Sequence, residues 1–260
     1  MGVSAKNEHC HNYGDEKSEN EQQFLEASRD GDVIQVYKLL KRDVDIDVKC
    51  TDTGNTALMF AAENGNEAIT ELLLMEQASV FLVNNNNNNS NIGLSALTLA
   101  HQRGHAVIVN MICTRLAEDK ELDAHMLHAS EEGDLATVLA LLSFDTNLFF
   151  VVDKMHGKSS LHLAAEKDHF EVASFLCVMM RLKPEAIMKK NNYGQNYIHS
   201  ACLGGSLYLL RLLLPLFEKM NRDAIVETDE SGRTALWFAA RKGHLEIVQE
   251  LLPIFSSIDP

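Results

Sequence analysis

The chain has 260 residues, of which 46% are hydrophobic, so it contains enough apolar side chains for a sizeable core and is not disordered as a whole. Asp and Glu together number 37 against 23 for Lys and Arg, which gives a formal net charge of -14 at pH 7. Because this charge repels phosphate backbones and anionic membrane surfaces, the composition argues against nucleic-acid binding as the main role.

The cysteines and the apolar runs indicate the compartment. The 5 cysteines are odd in number and widely spaced, which is typical of reduced thiols in a cytosol rather than of a disulfide framework. The first 23 residues contain no apolar stretch that resembles a secretory signal. The longest apolar run, residues 207–217, is too short to cross a bilayer and includes Arg211. The sequence therefore predicts a soluble, cytoplasmic protein with no membrane insertion.

The chain begins with a polar segment, residues 1–20, which is predicted to be a disordered tail because it has few apolar side chains. From Gln22 onward one pattern recurs: a short helix with small residues, a glycine or its substitute, and a second helix with an apolar stripe. Seven segments show this pattern, and in chain order they are QQFLEASRDGDVIQVYKLL from Gln22, GNTALMFAAENGNEAITELLL from Gly54, GLSALTLAHQRGHAVIVNMIC from Gly93, AHMLHASEEGDLATVLALL from Ala124, GKSSLHLAAEKDHFEVASFLC from Gly157, GQNYIHSACLGGSLYLLRLLL from Gly194 and GRTALWFAARKGHLEIVQELL from Gly232.

The residue that ends the first helix of each segment fixes the register of the repeat. Glycine suits this place because it adopts the left-handed conformation that stops a helix. The seven positions are Gly31, Gly65, Gly104, Gly133, Asp168, Gly205 and Gly243. The intervals between them are 34, 39, 29, 35, 37 and 38 residues. Thr56, Ser159 and Thr234 stand where a hydroxyl group is expected to cap the first helix.

The segments that begin at Gly54 and Gly232 read G-N-T-A-L-M-F-A-A and G-R-T-A-L-W-F-A-A, which resembles the ankyrin repeat pattern G-x-T-P-L-H-x-A-A. No segment keeps the proline, and only His162 and His199 keep the histidine. The resemblance implies an all-α fold, an ankyrin repeat solenoid of about seven helix-turn-helix repeats with short β-hairpin fingers. Because helix pairs this short cannot bury their apolar faces alone, we expect one continuous domain over residues 21–260.

Two intervals depart from the usual period. The 39-residue interval contains the asparagine run, and Gly65 and Gly104 keep the register on both sides of it. Residues 84–91 are therefore interpreted as an Asn-rich insertion in one finger rather than as a linker between domains. Deleting residues 84–89 is expected to leave the fold intact. The 29-residue interval before Gly133 has a polar connector and lacks room for a full finger.

The sequence offers residues for metal binding or catalysis, but each has a structural explanation. His125 and His128 lie three residues apart on one predicted helix, yet no third ligand stands at a recognisable spacing. His199 and Cys202 occupy packing positions of the repeat. No nucleophile elbow, phosphate-binding loop or dinucleotide-binding motif is present. We therefore predict a non-catalytic protein with no cofactor and no metal site. The alternative is an enzyme or enzyme inhibitor whose groups are spread over the concave face.

The resemblance also implies that another protein binds the concave face and the finger tips. The candidate contacts flank the G-x-T core or follow the alanine pair in the central and C-terminal repeats, and they are Met155, His156, Lys158, Lys167, Asn192, Tyr193, Gln195, Glu230, Arg233, Arg241 and Lys242. Their basic members favour a positive surface for an acidic segment, and the alternative is that they are only solvated charges. Tyr193 is the expected aromatic anchor. The protein is expected to be a monomer.

The diverged repeats, the asparagine run and the lack of an appended domain resemble small ankyrin effectors of host-associated intracellular bacteria. This resemblance implies a protein that is secreted into the cytosol of a eukaryotic host cell, and a eukaryotic cytosolic adaptor is the alternative. The last repeat has no polar capping unit. Either its apolar Ile254, Phe255 and Ile258 fold back as a cap, or the natural chain is longer.

Overall fold

The computed structural model describes residues 9–42, 44–85, 93–182 and 186–258. Fourteen α-helices lie within these ranges and confirm the all-α fold. In chain order they are α1 (His9–Asp30), α2 (Val33–Leu40), α3 (Ala57–Asn64), α4 (Glu67–Met75), α5 (Ala96–Arg103), α6 (Ala106–Glu118), α7 (Leu122–Glu132), α8 (Leu135–Phe144), α9 (Ser160–Glu166), α10 (Phe170–Leu182), α11 (Tyr197–Gly204), α12 (Leu207–Met220), α13 (Ala235–Lys242) and α14 (Leu245–Ile258).

Contacts divide the chain into two compact units, unit 1 (residues 1–119) and unit 2 (residues 120–260). In unit 1 the first helices of the repeats, α1, α3 and α5, pack side by side, and the second helices α2, α4 and α6 form another layer. In unit 2 the same two layers consist of α7, α9, α11 and α13 and of α8, α10, α12 and α14. Each unit therefore has the two-layered stacking that the sequence predicts. One continuous domain over residues 21–260 stays a prediction.

The core of each unit lies between its two layers of helices. Leu58 and Ile69 of unit 1 are buried there, as are Ile198 and Phe217 of unit 2. Burying one such side chain contributes about 1.5–3 kcal/mol, so a single pair of short helices gains too little to fold alone. Stacking of successive pairs supplies the remaining burial.

Two of the three predicted hydroxyl caps, Thr56 and Thr234, accept a backbone hydrogen bond, whereas Ser159 Oγ contacts His162 Nδ1 at 3.0 Å. Thr56 Oγ1 accepts a hydrogen bond from the Met59 backbone N–H at 3.4 Å. Thr234 Oγ1 accepts one from the Trp237 backbone N–H at 3.2 Å. These bonds satisfy N–H groups that have no partner inside the helix and fix where each helix starts.

A left-handed residue ends the first helix of every repeat. The φ angle is 76° at Gly65, 88° at Gly205 and 58° at Asp168. Gly205 must also lack a side chain, because a Cβ atom there would lie 2.5 Å from Cε1 of His244 in the next repeat. The register read from the sequence is therefore confirmed.

The fingers contain little regular strand. Each of three fingers has one isolated antiparallel bridge, and the paired residues are Val83 with Ser95, Val152 with Ser159, and Thr228 with Thr234. The bridges close the fingers at their bases, immediately before the first helix of the next repeat. The connector before α7 is different: α6 ends at Glu118 and α7 begins at Leu122, so the 29-residue interval contains no finger.

The asparagine run begins inside a finger, and its first two residues, Asn84 and Asn85, form hydrogen bonds to neighbouring segments. Asn84 Oδ1 accepts a hydrogen bond from the Leu94 backbone N–H at 2.8 Å, and Asn84 Nδ2 donates one to Asn55 Oδ1 at 2.7 Å. The Asn85 backbone N–H donates to a carbonyl oxygen of the preceding finger at 2.9 Å. The rest of the predicted insertion, from residue 86, lies outside the described residues. A deletion that spares Asn84 and Asn85 is therefore the one expected to preserve the fold.

Helix α1 begins at His9 and so overlaps residues 1–20, for which a disordered tail is expected and stays a prediction. Polar side chains one helical turn apart support the helix: Lys17 Nζ lies 3.9 Å from Glu21 Oε1. Such pairs stabilise a helix without any apolar burial. Residues 1–8 lie outside the described residues.

The end of the last repeat also differs from one of the two expectations. Helix α14 continues to Ile258, so Ile254 and Phe255 extend the second helix of the last repeat instead of folding back over it. Both side chains are half-buried. The helix continues through Pro253, eight residues after its start at Leu245, where proline removes one backbone donor.

Candidate protein-binding surface

The tips of three consecutive fingers in unit 2 form a row, the tip row, which consists of Met155, His156, Tyr193 and Glu230. The Asn192 backbone N–H donates to His156 O at 2.7 Å, and the Glu230 backbone N–H donates to Tyr193 O at 2.9 Å. These bonds join each finger to the next. Met155 is 81% exposed and Tyr193 is 43% exposed, and the Tyr193 ring lies 5.7 Å from the His156 ring. The tip row is thus an exposed apolar and aromatic edge on a fixed backbone.

A carboxylate at the base of a finger shapes its tip. Asp153 Oδ1 and Oδ2 accept hydrogen bonds from the backbone N–H groups of His156 and Lys158 at 2.6 and 2.7 Å. Burial acts to raise the pKa of Asp153, but these donors outweigh it and hold the pKa below its usual value. The carboxylate is therefore charged at neutral pH and holds the turn closed.

A chain of polar side chains links the next two fingers below their tips. Asn191 Nδ2 donates to Gln195 Oε1 at 3.0 Å, and Gln195 Nε2 donates to Asp229 Oδ2 at 3.2 Å. Arg233 approaches the same oxygen with Nε at 2.9 Å and Nη2 at 2.7 Å. Burial acts to raise the pKa of Asp229, but the donors, led by Arg233, lower it to about 2. Asp229 is therefore ionised and fixes the Arg233 guanidinium.

Trp237 on α13 lies between two guanidinium groups. Its ring centroid is 5.3 Å from Cζ of Arg233 and 5.0 Å from Cζ of Arg241. The indole is 37% exposed, and Arg241 and Lys242 are exposed beside it. Among the described residues, neither Arg241 nor Lys242 has a carboxylate within ion-pair distance. We call Arg233, Trp237, Arg241 and Lys242 the C-terminal patch.

Comparison with known families decides what these stacked helix pairs are. A family model described as "Ankyrin repeats (3 copies)" matches residues 24–124 and 178–260. The chain belongs to the ankyrin repeat family. The fold predicted from the repeat pattern is therefore confirmed as an ankyrin repeat solenoid.

Two individual proteins illustrate the similarity. The ankyrin repeat and KH domain-containing protein mask-1 of Caenorhabditis elegans is 26% identical over 192 residues, which cover 72% of this chain and 7% of that protein. The chain thus corresponds to a small part of the length of this relative. The crystal structure of the human ASB11 ankyrin repeat domain aligns with a TM-score of 0.49 and 18% sequence identity, over 89% of this chain and 96% of that one.

Several basic residues that were predicted to face a partner are already paired within the ankyrin repeats. Lys158 Nζ forms an ion pair with Glu166, which is half-buried. Lys167 Nζ lies 3.3 Å from Glu131 Oε1, on the preceding repeat. The positive surface is therefore smaller than the sequence predicts, and Arg241 and Lys242 form its unneutralised part.

Two of the predicted polar contacts have structural roles in the fingers. Gln195 is buried, with 7% of its surface exposed, and belongs to the polar chain that ends at Asp229. Asn192 is exposed, but its Nδ2 donates to Met155 O at 3.1 Å and its backbone N–H donates to His156 O. These residues position the tip row, while Met155, Tyr193 and Glu230 are left exposed by it.

The exposed tryptophan of the C-terminal patch was not predicted as a contact. Its position corresponds to the repeat histidine, which usually packs against the adjacent loop, and His162 does pack there with 0% exposure. A signal was present in the sequence, because arginines stand four residues before and four residues after Trp237, Arg233 in the finger before α13 and Arg241 one turn along it. Guanidinium groups that reach an indole from both sides can interact with its face.

The nucleophilic and basic side chains of α11 are neutral in the core of unit 2. Burial raises the pKa of the Cys202 thiol, and burial lowers the pKa of His199 three residues earlier. Their environment therefore disfavours the thiolate that a cysteine nucleophile needs and the protonated imidazole that a histidine general acid needs. Within the described ranges, no three His, Cys, Asp or Glu side chains are grouped so as to hold a metal ion. No helix in those ranges is long and apolar enough to cross a membrane.

Proposed function

We propose that unit 2 binds a partner protein through the tip row and the C-terminal patch. Ankyrin repeats are protein-protein interaction modules, and the ankyrin repeat fold is generally a non-catalytic scaffold. The observation that carries the proposal is Trp237, which remains 37% exposed between Arg233 and Arg241. Tryptophan and arginine are the residues most often found at energetic centres of protein interfaces.

The charge of the patch favours an acidic segment of the partner. Arg241 and Lys242 are exposed and have no ion-pair partner among the described residues, although the whole chain carries a formal net charge of -14. A local positive surface on an acidic protein attracts acidic segments and repels basic ones. The Trp237 face between the guanidinium groups offers an apolar contact at the same place.

The tip row extends this surface towards the preceding repeats. Its backbone is fixed by finger-to-finger hydrogen bonds, so binding orders little of the chain and loses little conformational entropy. Tyr193 and Met155 supply exposed apolar area, and Glu230 marks a negative point near the patch. We infer that the partner segment places apolar side chains on the tips and acidic ones on Arg241 and Lys242.

Affinity capture from a eukaryotic lysate, quantified by mass spectrometry, tests the proposal. The double variant Arg241→Glu/Lys242→Glu is expected to lose at least about 90% of a partner that the wild type retains, because both charges are reversed at the contact. The matched control is Lys38→Glu/Lys219→Glu, which changes the net charge equally at two exposed lysines outside the surface. Equal retention by all three proteins would contradict the proposal.

We also propose that the protein acts without catalysis and as a monomer in the cytoplasm. An effector role in a host cell rests on the resemblance to bacterial ankyrin effectors alone and stays a prediction. Export of the tagged chain by a bacterial secretion system would support it. Retention in the producing cell would favour the eukaryotic adaptor instead.

A further inference from the structure

Unit 1 has a second open surface, a groove of about 500 Å³ between the second helices α4 and α6. Its residues come from both helices, and they are Glu71, Leu74, Met75, Val107, Asn110, Met111, Thr114, Arg115 and Glu118. Met75 is 70% exposed and Val107 is 48% exposed. Apolar side chains are thus accessible along a groove whose rim is polar, which is the usual composition of a site for another protein.

The equivalent groove between α12 and α14 in unit 2 is crossed by an ion pair. Arg211 Nη2 lies 2.8 Å from Glu250 Oε2, so the two helices are joined across the gap. Arg211 stands six residues after its left-handed glycine, and Glu250 stands seven residues after Gly243. The groove between α4 and α6 differs at these two positions.

Counting from the same left-handed glycines identifies the difference. Glu71 stands six residues after Gly65, in the place of Arg211, and Met111 stands seven residues after Gly104, in the place of Glu250. A carboxylate and a thioether cannot form the ion pair, so nothing comparable joins the two helices at this point. With Met111 and Glu71 at these two positions, the groove between α4 and α6 has an apolar floor and a negative edge.

The charges of the rim are unbalanced. Glu71 and Glu118 are exposed and have no ion-pair partner among the described residues. Arg115 is the basic residue of the groove, but its Nε lies 3.2 Å from Asp119 Oδ2 and its Nη2 donates to Gln77 Oε1 at 2.9 Å. The guanidinium is therefore neutralised by the chain itself, and the rim has two free carboxylates.

We propose that the groove between α4 and α6 binds a cationic amphipathic helix of a partner protein. Methionines suit this role, because their flexible side chains adapt to apolar faces of different shape. A helix that places its apolar stripe on Met75 and Met111 can bring lysine or arginine side chains to Glu71 and Glu118. This surface is separate from the tip row and the C-terminal patch, and it selects the opposite charge.

The probe for this site is a synthetic helical peptide of about 14 residues, with leucine every third or fourth position and lysine elsewhere. Fluorescence anisotropy with the full chain measures its affinity at about 50 and 300 mM salt. A second peptide in which glutamate replaces every lysine tests the charge preference. We expect the lysine peptide to bind at least about tenfold more tightly than the glutamate peptide, and more weakly at high salt. Equal affinities for the two peptides would overturn the proposal.

A variant that installs the missing ion pair tests the location. Glu71→Arg/Met111→Glu recreates the arrangement of Arg211 and Glu250. It is expected to lower the affinity for the lysine peptide at least about tenfold while keeping the helical circular dichroism signal. The matched control is Glu218→Arg/Met220→Glu, which makes the same two changes on exposed residues of α12. Equal affinity of the wild type and the groove variant would show non-specific attraction and overturn the proposal.

Methionine methyl NMR gives a second, independent measurement. Resonances of Met75 and Met111 are expected to shift on addition of the lysine peptide, whereas the exposed Met155 in unit 2 is expected to stay unchanged. The variant Arg241→Glu/Lys242→Glu is expected to give the same shifts, because its charges lie outside the groove. Shifts confined to methionines other than Met75 and Met111 would overturn the assignment of the site.

Discussion

Arg233 and Asp229 form the contact on which the C-terminal patch depends. The Arg233 guanidinium places Nε 2.9 Å and Nη2 2.7 Å from Asp229 Oδ2, and Asp229 is 4% exposed. The same guanidinium lies 5.3 Å from the Trp237 ring centroid. The carboxylate that closes the last finger therefore also sets the position of the aromatic side chain proposed to meet a partner.

The first prediction concerns this ion pair. Asp229→Asn removes the charge that holds Arg233 and weakens a buried hydrogen-bond network, so we expect a loss of about 1–3 kcal/mol in the free energy of unfolding. Urea denaturation followed by circular dichroism measures it. The control Glu230→Gln removes a neighbouring exposed carboxylate and is expected to change stability by less than about 0.5 kcal/mol. Equal losses for the two variants would contradict the structural role of Asp229.

The second prediction concerns acid stability. Burial lowers the pKa of His162 from 6.5 to about 4. Between these pH values the unfolded chain binds a proton that the folded chain does not, so stability is full above pH 6.5 and falls as the pH falls towards 4. His162 alone contributes a slope of about 1.4 kcal/mol per pH unit in this window, and His125 and His199, whose pKa values burial also lowers, act in the same direction. The pKa of Asp229 is lowered from 3.8 to about 2, so the stability that its charge contributes is lost only below about pH 3.8.

Urea denaturation between pH 7 and pH 4 tests the histidine directly. The variant His162→Gln is expected to be less stable at pH 7 but to lose less stability on acidification than the wild type, because the titrating group is gone. An unchanged slope in His162→Gln would show that another group causes the acid sensitivity.

The third prediction separates the two described asparagines of the run. Asn84 makes two side-chain hydrogen bonds at 2.7 and 2.8 Å, so Asn84→Ala is expected to cost about 1–2 kcal/mol of stability. Asn85→Ala is the control, because Asn85 contributes its backbone N–H to the preceding finger. Thermal denaturation of both variants measures the difference. Equal melting temperatures for the two would contradict the described role of the Asn84 side chain.

The fourth prediction compares two left-handed glycines. Gly104→Ala meets no atom within 4 Å and has only the conformational penalty of about 1–2 kcal/mol. Gly205→Ala has the same penalty and would also place Cβ 2.5 Å from Cε1 of His244, so a larger loss is expected. Chemical denaturation of both variants gives the two values. A larger loss for Gly104→Ala would mean that the His244 contact is unimportant.

The sequence predicted the repeats well, because their signals are local and periodic. A left-handed glycine such as Gly205 ends a helix, and a hydroxyl such as that of Thr234 caps one, so both act within a few residues. Seven copies in register then fixed the helix pairs. Helix α1 has a weaker signal in the sequence, because polar residues such as Lys17 and Glu21 stand in its middle and its buried Phe24 and Leu25 lie nearer its end.

The candidate surface was predicted less well, because exposure depends on which neighbours a side chain finds. Gln195 and Tyr193 stand two residues apart in one finger, yet Gln195 is buried against Asp229 while Tyr193 is exposed at the tip. Lys158 is a basic residue at a position expected to contact a partner, but its ammonium group forms an ion pair with Glu166. The first pairing joins residues 34 positions apart and the second joins a finger to the helix that follows it, so neither follows from the helical or strand period.

Site-specific photo-crosslinking tests the central claim most directly. A benzoylphenylalanine placed at the position of Trp237 is expected to crosslink the same partner protein as one placed at Tyr193, while one at Leu245, which is 65% exposed on α14, is expected to capture little of it. This result would support the tip row and the C-terminal patch as one binding surface. Crosslinking of the partner at Leu245 but not at Trp237 would contradict it.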